Sequence, residues 1–353
     1  MSVKIVTYHS AHNYGALLQC ASLYRTLKSM DNDTAVYDYV SPKIADSYKL
    51  IKHSKGLKGK AAQVLTLPVK LRKKILFEKF LNKNIDLSKD YDENDIFITG
   101  SDQVWNYRAT DFDKTYFLDF VKDNKNKNSY AASFGISSIE AEYVPEYKRL
   151  LENFNNISVR EDTGEKIVKE ICGKDAEVMP DPVFLTTVDE WKKLAKPKRN
   201  KKEYILMYLM VKTPTAIAFA KKLSDKTGLP VYFIDNYAMN LPKCFKVKRG
   251  QGPAEFLSLF AGCKYVVTNS FHGTAFSIMF NKKMYVELLP EQYGVNSRIH
   301  NVLNCYDLFD RIINEKMPED INEDIDFSKI NEKIETERAR GIEYLKKIVK
   351  GEF

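Results

Sequence analysis

The chain has 353 residues, 44% of them hydrophobic and 12% aromatic, so it can bury a large core and its length favours two domains over one. Its net charge of +8 is unevenly spread, with thirteen Lys/Arg against three acids in residues 42–89, a composition that suits an anionic partner. No apolar run reaches the ~18 residues of a membrane span. The N-terminus reads as a strand rather than a signal peptide, and five scattered cysteines without a C-x-x-C read as reduced cytosolic thiols with no structural zinc site.

In chain order, KIVTYH (4–9) reads as a buried strand, SAHNYGA as a turn, LLQCASLYRTLKSM (17–30) as a helix and TAVYDYV (34–40) as a strand. This order implies parallel strands and a right-handed crossover. The basic stretch follows, with helical spacing over 70–81. DIFIT (95–99) is a strand before the loop GSDQVW. SYAASFGI (129–136) is a strand, 143–154 a helix, NISVRE a strand, DTGEKIVKEI a helix, AEVM a strand ahead of a Pro-rich loop, and VDEWKKLA a helix. Five basic residues and a proline in AKPKRNKKE (195–203) mark a domain boundary. The alternation then restarts, with strands at 204–210, 230–236, 265–270 and 283–288 and helices at 215–228, 252–263, 272–280 and 297–304. An acidic stretch (315–326) precedes a last helix over 327–350.

This pattern predicts an α/β fold of two Rossmann-like, doubly wound domains facing a central cleft. Residues 1–195 form the first, with a basic helical insertion at 42–89, and residues 203–312 form the second. Helix 327–350 is expected to pack back on the first domain. Ligands of such sheets bind outside the carboxyl ends of the strands, so the loops there carry the candidate residues.

Asn13, Tyr14 and Gly15 open a helix whose N–H groups suit an anion, or they form an ordinary strand–helix turn. Ser101, Asp102, Gln103 and Trp105 crowd behind IFIT. Asp102 is read as a proton acceptor, a hydroxyl ligand or a helix cap, and Trp105 as a stacking surface or core. Arg160 leaves a strand and can grip phosphate or carboxylate, or pair with Glu161 or Asp162. Asp181, held between Pro180 and Pro182, reads chiefly as a rigid turn and only secondarily as a candidate for chemistry. In TNSFHGTAFSIMF (268–280), His272 sits where a strand becomes a helix, with Asn269, Ser270, Gly273 and Thr274 around it. An acid/base or anion-binding histidine is favoured there over a core one. No second His at helical spacing points to a metal and no G-x-S-x-G to a serine hydrolase. Arg298, one loop later, is in a position to reach the same anion.

NYGALLQCASL, ITGSDQVWN, YAASFG, ISVRED, DPVFL, TNSFHGTAFSI and the later NSRI, in this order and spacing, resemble the polysaccharide pyruvyl transferase family over nearly all of residues 1–308. The resemblance implies the GT-B arrangement of two Rossmann-type domains. It also implies transfer of the enolpyruvyl unit of phosphoenolpyruvate to a sugar of a surface polysaccharide, or its lipid-linked precursor, as a pyruvate ketal with release of phosphate. Many members carry an arginine where this chain has Ser270, so the cation is expected from Arg298, Arg160 or Lys282. On this reading His272 is the acid or the phosphate ligand and Asp102 the base. The donor set is Arg160, Asn269, Ser270, Gly273, Thr274 and Arg298; the acceptor set is Asn13, Tyr14, Gly15, Ser101, Gln103 and Trp105. No cofactor, metal or nucleic-acid partner is expected.

Phosphoenolpyruvate and a sugar or lipid-linked oligosaccharide are the expected partners. An anionic membrane surface joins them through 42–89, giving a cytoplasmic protein peripheral to the inner membrane face. Two rival readings stand: a GT-B glycosyltransferase using a nucleotide sugar, and a non-catalytic binding protein on the same fold.

Overall fold

The computed structural model describes residues 2–30, 33–50, 57–197, 202–236, 238–290, 293, 296–313 and 325–352, the side chains of 57–63 excepted. Up to residue 197 the elements are β1 (Val3–Val6), α1 (Tyr14–Lys28), β2 (Thr34–Tyr37), α2 (Pro42–Ser47), α3 (Leu57–Asn84), β3 (Leu87–Ser88), β4 (Ile96–Thr99), α4 (Tyr107–Thr110), β5 (Lys127–Ser129), α5 (Val144–Glu152), β6 (Ser158–Val159), α6 (Asp162–Cys172), β7 (Glu177–Val178) and α7 (Val188–Leu194). After it come β8 (Ile205–Tyr208), α8 (Pro214–Thr227), β9 (Val231–Ile234), β10 (Phe245–Lys248), α9 (Pro253–Gly262), β11 (Tyr265–Thr268), α10 (Phe271–Met279), β12 (Lys283–Val286), α11 (Asn296–Cys305) and α12 (Phe327–Lys350). Parts of the expected linker (198–201), of the loop before Arg298 and of the acidic stretch lie outside the described residues.

Two all-parallel, five-stranded sheets result, ordered β3-β2-β1-β4-β5 and β10-β9-β8-β11-β12. The two orders are the same: in each, the first strand of the sheet lies between the second and the fourth. Strands β1, β4 and β11 are buried along their whole length, which is why VKIV, IFIT and YVVT read as apolar runs rather than alternating ones. The edge strands β3 and β10 are half exposed and escape the sequence pattern. The strand expected over SYAASFGI stops at Ser129, because Ala131 takes a left-handed φ of 46°. Beyond it, Ala132 N donates to Ser158 O of β6, and the Ala132 carbonyl accepts from Arg160 N.

One hydrophobic cluster spans both sheets, running from Val3 and Leu17 through Tyr14, Phe256 and Phe276 to Tyr344 and Ile348. The Tyr14 ring stacks on Phe256 at 4.5 Å, and its hydroxyl donates to Gln251 O. Two further clusters fill the outer faces of the first and second sheets. Helix α12 lies against the β5–α7 region: Arg338 donates to Phe184 O at 2.9 Å and the Tyr344 hydroxyl to Ser129 O at 3.3 Å. No helix among the described residues is long and apolar enough to cross a membrane.

Candidate active site

In a doubly wound sheet the strand order reverses between the first and fourth strands, and the loops leaving them part to form a crevice. Here those loops follow β1 and β4 in one sheet and β8 and β11 in the other. The two crevices face each other. A cavity of about 70 Å³ lies between them, lined by Asn13, Asp102 and Gln103 from one side and by Tyr208, Met210, Asn269, Ser270, Phe271, His272, Arg298 and Ile299 from the other.

His272 enters this cavity from the first turn of α10. Ser270 starts that helix, its hydroxyl accepting from Gly273 N. The imidazole rests directly on Gly15: a Cβ there would lie 2.0 Å from Nδ1. Its Nε2 stands 3.7 Å from Asp181 Oδ2, an ion-pair separation, and is buried without a hydrogen-bond partner. Asp181 is the hub of the site. It accepts from Arg160 Nη1 at 2.5 Å and from Val183 N at 3.0 Å, and Ser101 Oγ lies 3.4 Å away. Burial alone would raise its pKa; His272 and Arg160 hold it well below the usual carboxylate range.

The two arginines differ. Arg160 is closed in by three carboxylates, Asp181, Asp102 at 3.7 Å and Glu161 at 3.9 Å. Burial works against its charge, but these acids outweigh it and its pKa is raised. Arg298 has no carboxylate within salt-bridge distance among the described residues. Burial, then repulsion from Arg160, push it down to about 10, and its Nε is buried without a partner. The Gln103 carboxamide stands against it; with its oxygen toward the guanidinium it accepts from the two terminal nitrogens at 3.1 and 3.2 Å. Arg298 is therefore the cation left to meet an anion in the cavity that Ser270 also lines.

Several expected site residues have other tasks. Trp105 is 0% exposed, stacked among Phe117, Phe134 and Phe154 with its N–H on Tyr116 O, so it is core and no stacking surface for a sugar. Tyr14 is occupied by Phe256 and Gln251, Gly15 by the His272 ring, and Ser101 by Ala131 O and Asp181. Asn13 reaches the cavity, but its carboxamide also takes the N–H groups of Gly15 and Ala16, which removes them as anion ligands.

On the expected donor side, Asn269 clamps Met210, Val211 and Glu287. Gly273 lets α10 approach β11, since a Cβ would meet Thr268 Oγ1 at 2.1 Å, and Thr274 bonds back to Ser270 O. Arg160 does not line the His272 cavity, and Lys282 lies beyond the far end of α10 with its ammonium on Ala261 O. Asp102 lines the cavity, its carboxylate accepting from Gln103 N. Asp181, only a weak candidate in a stretch that reads as a proline turn, proves central, and the residues the spacing missed are Tyr208, Met210 and Phe271, whose only signal is their place at strand ends.

Paired doubly wound domains with their crevices face to face define a protein of the GT-B type. A UDP-N-acetylglucosamine 2-epimerase structure shares this fold at a TM-score of 0.52 with 12% identity, covering 98% of this chain and 95% of its own. The enzymes of the same name from Neisseria meningitidis, bound to UDP-GlcNAc, and from Methanocaldococcus jannaschii both reach 0.46. Their identities are 11% and 12%, over 97% and 96% of this chain and 94% and 93% of theirs. A search of the curated proteins finds no match. The polysaccharide pyruvyl transferase family model matches residues 13–286, from the cap of α1 to the end of β12. The chain belongs to that family, a family of transferases.

Proposed function

We propose that the protein transfers the enolpyruvyl unit of phosphoenolpyruvate to two hydroxyls of one sugar. The observation that carries this reading is His272 seated on Gly15 and held at Asp181, with Arg298, which has no carboxylate within salt-bridge distance among the described residues, on the same cavity. A proton adds to the methylene carbon, which becomes a methyl group, and C2 takes on oxocarbenium character. One sugar hydroxyl adds to C2 and loses its proton. The C2–O bond to phosphate breaks, and the second hydroxyl adds and loses its proton. Of the two hydroxyl protons, one balances that given to carbon and the other leaves with phosphate.

His272 is the proton donor, an imidazole being the side chain that most often serves as general acid. Arg298 meets the phosphate or carboxylate of the donor. Asp102, on the opposite wall, receives a hydroxyl proton.

The test is donor consumption: phosphate appears from phosphoenolpyruvate in the presence of a sugar acceptor. His272→Ala lowers turnover roughly 10²- to 10⁴-fold. Near-normal turnover by that variant would sink the assignment. Release of a nucleotide from a nucleotide sugar would instead favour a glycosyltransferase.

The acceptor is read as lipid-linked, presented at an anionic membrane surface. The support is α3, whose outward face carries Val64, Leu65, Leu71 and Ile75 at 70, 80, 44 and 53% exposure beside the exposed Arg72 and Lys79. Sedimentation with vesicles containing phosphatidylglycerol, compared with phosphatidylcholine alone, checks it.

A further inference from the structure

Behind the arginine pair lies a second cavity, of about 260 Å³, between α11, α12 and the ends of β6 and β7. Phe271 and Arg298 line both it and the His272 cavity, so the two chambers share a wall. Asp181 and Arg160 also face the larger chamber. The smaller one, at about 70 Å³, is roughly a quarter of that volume. Of the side chains expected to hold the acceptor, Tyr14, Ser101 and Trp105 are committed to packing and to other polar groups, so the acceptor needs another seat.

We infer that the larger chamber binds a saccharide unit of the acceptor and presents its hydroxyls to the reaction centre through the wall formed by Phe271 and Arg298. This inference rests on the pyruvyl-transfer reading. The lining suits a saccharide. Asn301 and Asn304 on α11 each offer a donor and an acceptor, as a pair of neighbouring hydroxyls requires. Arg340 and Glu337 of α12 add a charged edge, and Val302 with Tyr306 gives an apolar floor for the faces of the ring. The polar wall is also under-satisfied: Arg160 Nε and Nη2 and Arg298 Nε are buried without hydrogen-bond partners, donors that an incoming oxygen atom would satisfy once the shared wall shifts.

The test separates this chamber from the donor site. Saturation-transfer NMR with a set of methyl hexopyranosides and methyl N-acetylhexosaminides reads saccharide binding; calorimetry with phosphoenolpyruvate reads donor binding. Asn301→Trp fills the chamber, and Arg340→Ala, at an exposed position, removes a polar edge together with its bonds to Glu337 and Val178 O. Thermal melting confirms that each variant is folded. The expected result is saccharide binding to the wild type that falls at least about tenfold in both variants, with donor affinity unchanged. Two results would overturn the inference: no saccharide of the set binding the wild type, or Asn301→Trp and Arg340→Ala binding as the wild type does. If the protein fails to bind phosphoenolpyruvate, the pyruvyl-transfer reading falls separately, because the saccharide measurement does not depend on donor.

Discussion

A methyl group on Gly15 would lie 2.0 Å from His272 Nδ1, closer than any real contact, so a glycine of the first domain sets the ring position of a histidine of the second. Gly15→Ala is expected to lower turnover about a hundredfold by moving the imidazole. Its melting temperature should fall far less than its activity, and parallel kinetics and melting check this. His272 itself was legible in the sequence, because a polar residue between a β-branched run and an apolar helix is conspicuous. Asp181 was not: two flanking prolines read as turn geometry, and only the fold brings its carboxylate to Arg160 and His272, 21 and 91 positions away in the sequence. Arg160 and Arg298 look alike in sequence. The fold separates them by the carboxylates it puts around Arg160 and by placing Arg298 on the His272 cavity.

At the scale of elements, α3 shows how far periodicity reaches. Helical spacing was visible from residue 70, whereas the helix begins at Leu57 and includes Pro68. Its apolar residues also divide. Phe77 packs beside Tyr14, Phe80 is buried, and Leu76 abuts Gly252 at the start of α9; Leu71 and Ile75 remain outside. The helix thus touches both domains with one side and leaves a shorter apolar strip on the other. Replacing Leu71 and Ile75 together with Glu is expected to remove binding to anionic vesicles while leaving the melting temperature nearly unchanged, since surface positions rarely matter by more than ~0.5 kcal/mol. Equal sedimentation of this variant and the wild type would remove the membrane reading. Trp105 teaches the converse. GSDQVWN is conspicuous, yet its tryptophan serves the core, because the loop after β4 turns the ring between Phe117 and Phe134.

At the scale of the molecule, Asp181 joins the first domain to His272 of the second, which ties the seam between them to pH. Its folded pKa is depressed, so its contribution to stability is present above the unfolded carboxylate value of about 3.9. It is lost progressively as pH falls below that value toward the folded one. Melting curves of the wild type should therefore drop between roughly pH 4 and lower values. In Asp181→Asn that part of the drop should be absent, the variant being less stable at neutral pH because Arg160 loses its nearest acid. Curves of identical shape for the two proteins would contradict this role.

The sequence by itself determined the alternation of strands and helices, the parallel character of the sheets, and the loops at which polar residues gather. These follow from local periodicity and from the continuous apolar runs of strands covered on both faces. The family pattern was legible for the same reason, since its motifs sit in those loops. Only the tertiary structure decided which loops meet. The strand order places the crevices after β1, β4, β8 and β11 opposite one another; packing within the first domain assigns Trp105 and Arg160 to support, packing between domains sets Gly15 under the His272 ring, and His272 and Arg298 are left facing the cavity. Local pattern cannot carry that information, because burial and ion pairing at these positions come from partners tens to hundreds of residues away.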